Sequence, residues 1–212
     1  MAGLLITVEG VEGSGKTTQC RLLAEWLRGQ GPRVRETSEP DGSPIGGAIR
    51  AIFEQDGLAL TPLTEALLFT AARQQHVAQV ITPALNAGDI VVSDRYADAT
   101  LAYQGYGRGL DLQTIRELNA LATGGVLPDL TLLLDLDPGV GLERLGGRAR
   151  DAFERLNLAF HRKVRQGYLE LAREEKNRIV VLDAGQLADR LQGEIRKAVG
   201  DLLRQRGLAR GV

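Results

Sequence analysis

The chain has 212 residues, 43% hydrophobic and 25% charged, which are the proportions of a folded chain with one sizeable core and exclude disorder, collagen repeats and a coiled coil. With 26 Lys+Arg against 27 Asp+Glu the formal charge is -1, so no global basic field marks a nucleic-acid binder and any anion site has to be local. One Cys and two His exclude an internal disulfide and a Cys-rich zinc cluster and fit a reducing cytoplasm, and neither a signal peptide nor a membrane span of ~18 apolar residues is present.

Leu4 to Val8 is a short, partly β-branched apolar run that stops at glycines, the pattern of a buried strand. From Lys16 onward Leu22, Leu23, Trp26 and Leu27 recur at helical spacing, and Gly29 and Gly31 end the helix. Arg33 to Ser38 predicts a second strand. A long helix begins at Thr61-Pro62, where Thr caps and Pro suits the first turn, and runs to Asn86-Ala87-Gly88. Ile90 to Ser93, Leu130 to Leu136 and Ile179 to Leu182 predict three further strands. Gly105 to Gly109 and Gly146-Gly147 predict loops. Continuous apolar strands alternating with helices predict an α/β fold, a parallel sheet of about five strands covered by helices on both faces, in a single domain over 1–212. Ligands of such sheets sit at the strands' carboxyl ends.

The most specific motif is Gly10-Val11-Glu12-Gly13-Ser14-Gly15-Lys16-Thr17, between the first strand and the first helix. Its glycines let backbone N–H groups turn inward around phosphate oxygens, and the helix dipole adds positive charge there. Lys16 is expected to reach the β/γ-phosphates and Thr17 to ligate Mg²⁺, with Thr18 a weaker candidate. The loop predicts ATP binding by Gly10, Glu12, Gly13, Ser14, Gly15, Lys16, Thr17 and Thr18, but it does not name the acceptor. A switch GTPase is disfavoured, because neither an Asp-x-x-Gly turn nor an Asn-Lys-x-Asp guanine reader occurs.

Asp94-Arg95-Tyr96 follows directly on a predicted strand, so an acid and a guanidinium stand at the sheet's carboxyl edge. Asp94 suits Mg²⁺, and Arg95 suits a bidentate clamp on a second phosphate; the alternative is a structural Asp–Arg pair. Tyr103 to Gly109 reads as a loop that wraps a planar ligand, or as plain surface. Phe69 and Arg73, four apart in the long helix, share a face on which a ring and a donor could meet one base; otherwise Phe69 is core. The segment from Arg144 to Arg165 is rich in Arg and Lys, with a possible hinge at Gly146-Gly147, as in a lid that closes over ATP. Arg162, Lys163 and Arg165 read instead as a solvated helix face.

Gly10 to Gln19, Glu39-Pro40, Phe69 with Arg73, Asp94-Arg95-Tyr96 and Ala102-Tyr103-Gln104-Gly105 together resemble the thymidylate kinase family of P-loop kinases, over nearly the whole chain. The resemblance implies the P-loop kinase fold with a short Arg-bearing lid over about 143–156. The activity it implies is transfer of the ATP γ-phosphoryl group to dTMP, giving dTDP and ADP with Mg²⁺, in a cytoplasmic homodimer without nucleic-acid or membrane partners. Residue by residue, it makes Arg50 and Arg95 clamps for the monophosphate. Phe69 becomes the stacker on thymine, Arg73 a donor to a thymine carbonyl, and Gln104 or Thr100 a partner on the pyrimidine edge. Tyr103 would disfavour a ribose 2′-hydroxyl, Glu12 would lie near the sugar 3′-hydroxyl or the metal, and Glu39 and Pro40 would line the acceptor site. Lys16, Arg95 and the lid arginines Arg144, Arg148 and Arg150 are the implied catalytic groups, because Gly13-Ser14 offers no arginine in the loop. The chain departs from the family pattern at Ser38, Asp41, Ala99 and Ala152. A kinase for another nucleotide or nucleoside, and a P-loop ATPase with a macromolecular partner, are the competing readings.

Overall fold

The computed structural model describes residues 3–55, 57–146 and 153–208. The apolar runs form β1 (Leu4–Glu9), β2 (Val34–Ser38), β3 (Ile90–Asp94), β4 (Leu130–Asp135) and β5 (Ile179–Asp183), close to their predicted bounds. All pair in parallel in the order β2-β3-β1-β4-β5, with Ile6 level with Val92 on one side and Leu130 on the other. Every residue of β1 is buried, which explains why the strand reads as a continuous apolar run rather than an alternating one.

Around the sheet lie α1 (Lys16–Gly29), α2 (Pro44–Phe53), α3 (Pro62–His76), α4 (Thr82–Asn86), α5 (Ala97–Thr100), α6 (Leu112–Thr123), α7 (Pro138–Arg144), α8 (Leu158–Glu174) and α9 (Ala188–Gln205). One buried cluster joins Leu4, Ile6 and Val8 to Leu23 and Leu27 of α1 and to Ile195 and Val199 of α9. A smaller one joins Leu5 and Val91 to Val77, Ile81 and Ala84. Alternate residues of β1 thus supply the two clusters, as the pleat requires. No helix among the described residues is long and apolar enough to cross a membrane.

The long helix expected from Thr61 runs as α3, a π-helical turn at Val77–Ile81, and α4. Pro83 at the start of α4 has no N–H to return to the preceding turn and its ring crowds that turn, which the wider π-helix relieves. The loop expected over Tyr103 to Gly109 is corrected: Leu101–Gly107 is a second π-helical segment continuing α5, and Leu101 to Gly105 are buried. Its glycines serve close packing rather than mobility. A Cβ on Gly107 would stand 2.7 Å from the Phe160 ring of α8, and one on Gly105 2.6 Å from a Leu112 methyl. The helix α2 was not expected, although Ser43 caps it by accepting from Gly46 N and Pro44 opens it.

Candidate active site

The loop between β1 and α1 carries positive φ at Gly10, Gly13 and Gly15. Gly13 has φ +71 and a second constraint, since a Cβ there would collide with the carbonyl oxygen of Gly141 in α7. A Cβ on Gly141 would in turn collide with the carbonyl oxygen of Glu12. Gly15 caps α1 without a side-chain hydrogen bond, so the first-turn N–H groups are left to an anion at the positive end of the helix. Lys16 Nζ donates to Val11 O at 2.8 Å, and burial, aided by Arg95, lowers the affinity of its amine for a proton. Thr17 Oγ1 donates to Asp94 Oδ2 at 2.6 Å, which brings the end of β3 to the loop.

Asp94 therefore turns to Thr17, whereas Arg95 turns to Glu12, and the alternative of a structural Asp94–Arg95 pair gives way to two separate engagements. Arg95 is the only described non-glycine residue with positive φ, at 71. Such a backbone costs an ordinary side chain about 1–2 kcal/mol. The bonds around it hold it there: Arg95 N donates to Val8 O, Ser93 Oγ to Arg95 O, and Tyr96 N to Glu9 Oε1. The guanidinium then meets Glu12 Oε1 at 2.5 Å and Tyr103 Oη at 3.1 Å, and Tyr103 Oη donates to Glu12 at 2.6 Å. Burial pushes the Glu12 carboxyl up, but Arg95, Lys16 and the Tyr103 hydroxyl outweigh it and hold it at about 2.

Glu9, fully buried beneath this turn, accepts from Tyr96 N at 2.7 Å and from Tyr168 Oη at 2.8 Å. Burial first, and then the Asp98 carboxylate, push its carboxyl up to about 8 against the opposing pull of Arg95, Tyr168 and Tyr96. The raised value means that the folded state holds one more proton than the unfolded state between pH about 4.5 and 8, so this contribution to stability is present at low pH and lost as pH rises through that window. Glu9→Gln is expected to flatten the fall in unfolding free energy from pH 5 to 8, read from urea titrations, by on the order of 1 kcal/mol per pH unit. An unchanged pH slope would show that Glu9 is ionised in the folded protein.

The cleft, about 620 Å³, runs from this loop to a second end built by α2, α3 and the helical run 97–107. Phe53 and Phe69 stack there at 4.5 Å, with Phe153 tilted against both. Phe53 and Phe153 were not expected from the sequence, where lone aromatics carry no periodic signal. Arg73 reaches this end, but it is already engaged: Nε donates to Glu39 Oε2, Nη1 to Thr100 Oγ1 and Asn119 Oδ1, and Nη2 to Tyr96 O, with Nη2 also 2.8 Å from Glu39 Oε2 as an ion pair. A base carbonyl therefore competes with these partners for it. Glu39, which precedes Pro40 across a cis peptide bond, also faces His76 Nδ1 at 3.3 Å. Gln104 and Thr100 line the same end. Arg50 lines the cleft but pairs with Asp41 at 2.6 Å, so one of the departures from the family pattern occupies the expected clamp.

On the lid side, Arg144 ends α7, lines the cleft, and donates to Ala184 O at 2.9 Å. Arg148, Arg150 and Ala152 lie outside the described residues. The solvated reading holds for Arg162 and Lys163 but is corrected for Arg165, whose Nε and Nη2 pair with both oxygens of Asp135 at 2.7 and 2.8 Å. Asp135 ends β4, so α8 is tied to the same sheet edge that carries the site.

A phosphate loop that opens on one wall of a cleft whose far wall is aromatic defines the chain as a P-loop nucleotide kinase. The sequence profile of thymidylate kinase matches residues 8–195. The thymidylate kinase of Deinococcus radiodurans is 49% identical over 200 residues, covering 94% of this chain and 97% of that protein. That of Syntrophotalea carbinolica is 54% identical over 194 residues, covering 87% and 89%. The crystal structure of thymidylate kinase from Ehrlichia chaffeensis superposes with a TM-score of 0.79 at 33% identity, covering 94% of this chain and all of that one. The chain belongs to the thymidylate kinase family.

Proposed function

We propose that this chain transfers the γ-phosphoryl group of ATP to the 5′-phosphate of dTMP, giving dTDP and ADP. The observation that carries the reading is one cleft that joins a glycine-rich loop at a helix N-terminus, a guanidinium held in a left-handed turn, and an aromatic end on which a base could stack. Catalysis of this kind needs positioning and charge rather than a covalent intermediate. The α1 N–H groups and Lys16 hold the β/γ-phosphates of ATP. Thr17 and Asp94 offer hard oxygen ligands side by side, the donor set that suits Mg²⁺ held partly by phosphates. When bound, that ion neutralises charge on the phosphate oxygens.

Arg95 leaves Glu12 for the acceptor phosphate, and Glu12, kept ionised, turns it toward the cleft meanwhile. Phe69, backed by Phe53, takes the base, Tyr103 closes the sugar side, and Glu39 and Pro40 border it. Of the three arginines expected to act from the lid, Arg144 is the described one, and its place on the cleft wall supports a role near ATP. The same reading takes 1–212 as one kinase domain with a lid over about 143–156, located in the cytoplasm. It includes a homodimer, supported by the half-exposed Leu63 and Leu67 one turn apart on α3.

The test is incubation with ATP and Mg²⁺ and each of dTMP, dUMP, CMP, AMP and thymidine, with products identified by mass. A dTDP signal well above the others is expected. Phosphorylation of another acceptor with dTMP untouched would overturn the acceptor assignment, and hydrolysis stimulated only by a macromolecule would overturn the kinase reading.

A further inference from the structure

Beside the base end of the cleft lies an ion pair of a buried glutamate and a partly exposed arginine, to which no role has been given. Glu65, in the first turn of α3, is nearly inaccessible and takes Arg108 with both oxygens, Nη2 to Oε1 at 2.6 Å and Nε to Oε2 at 3.0 Å. Oε2 also accepts from Gln104 Nε2 at 3.3 Å. A carboxylate paired with a guanidinium can only accept, so the half of the Gln104 amide turned toward it has to be the NH2. The amide oxygen is thereby turned away from Glu65. Gln104 lines the cleft, and no hydrogen bond from a described residue reaches that oxygen.

Thr100 is oriented by the same reasoning with the sign reversed. Arginine has no lone pair to offer, so when Arg73 Nη1 donates to Thr100 Oγ1 at 2.9 Å the hydroxyl hydrogen has to point elsewhere. Thr100 also lines the cleft, and it stands four residues before Gln104 in one helical run, so the two are neighbours on one face. The face therefore offers an acceptor beside a donor. Thymine presents the complement, a ring N–H beside carbonyl oxygens. Cytosine presents the inverse, a bare ring nitrogen beside an amino group.

We propose that Glu65 and Arg108 are positioning residues for base selection, which fix the Gln104 amide with its oxygen toward the cleft so that the site takes a pyrimidine with hydrogen on its ring nitrogen and rejects cytosine. The inference rests on the dTMP kinase reading above. Glu65 and Arg108 act through Gln104 and touch no substrate atom. A glutamine at 65 could face Gln104 with either half of its amide, so the polarity of the site would no longer be imposed.

The experiment measures kcat/KM for dTMP and for dCMP in the wild type, in Glu65→Gln and in Arg108→Lys. Wild type that does not phosphorylate dTMP overturns the function itself. Given dTMP turnover, Glu65→Gln is expected to lower the dTMP/dCMP ratio by at least ~10-fold, chiefly through KM, since a mismatched buried hydrogen bond costs about 1–3 kcal/mol. Arg108→Lys loses the two-point fork but leaves a cation beside the Glu65 carboxylate, which can still only accept from Gln104, so the ratio is expected to hold within about threefold while overall stability falls. A ratio unchanged in Glu65→Gln, or one that falls equally in both variants, overturns the proposal. Should Glu65→Gln not fold, the wild type decides through the Gln104 side-chain NH2 protons, assigned by their loss in Gln104→Met. Slow exchange before and after dTMP addition is expected. Free exchange that is suppressed only by dTMP overturns the proposal, because the NH2 would then face the nucleotide.

Discussion

Lys16→Met is expected to lower kcat for dTMP phosphorylation by about 10³-fold while leaving the KM for dTMP within a few-fold. Removing one preorganised charge or donor from a transferring group costs 10²–10³ or more in comparable sites, and phosphoryl transfer relies on little else. Met keeps the length and apolar stem of a side chain that is already buried, so the fold should hold. What is lost in the folded state is one hydrogen bond to Val11 O, worth about 1 kcal/mol, and part of the charge that keeps Glu12 ionised. Turnover and thermal midpoint measured together separate the two effects. More than a tenth of wild-type kcat would remove Lys16 from the transfer step.

Arg73→Met is expected to be the most destabilising single change at the site, by about 3–5 kcal/mol in urea unfolding. The mutation removes one member of a buried ion pair and leaves Glu39 inaccessible with only the His76 ring beside it, which costs far more than the pair itself contributes. Thr100, Asn119 and Tyr96 O each lose a donor as well. Arg73→Met with Glu39→Gln is expected to lose less than Arg73→Met alone, since the orphaned charge is gone. A loss below about 1 kcal/mol in the single variant would mean that His76 compensates Glu39 by itself.

Much of the architecture could be read from local pattern, because strands buried on both faces are written as unbroken apolar runs and the phosphate loop has a fixed spacing. What escaped reading depends on contacts distant in sequence. The glycines at 105 and 107 look like chain breakers, yet they are small because Leu112 and Phe160 come close. The helix α2 carries its start signal at Ser43-Pro44, but Gly46-Gly47 depress its helical propensity, and packing on α3 overrides that. Phe69 and Arg73 are legible as a pair because they share a helix face. Their partners Phe53, Phe153 and Glu39 sit on other elements, and no periodicity links them. Arg165 reads as surface until its carboxylate partner, Asp135, is seen at the end of β4.

The abutting glycines of the phosphate loop and α7 bear on which sequences this site can reach by mutation. Any side chain at 13 collides with the backbone at 141, and any at 141 with the backbone at 12, so neither position can change first and neither can compensate for the other. An arginine donated by the loop at position 13 is therefore closed to this chain by single steps. Evolution of the transfer site is steered instead to positions outside that contact, such as Arg144 at the end of α7, which lines the cleft without abutting the loop backbone at 12 or 13.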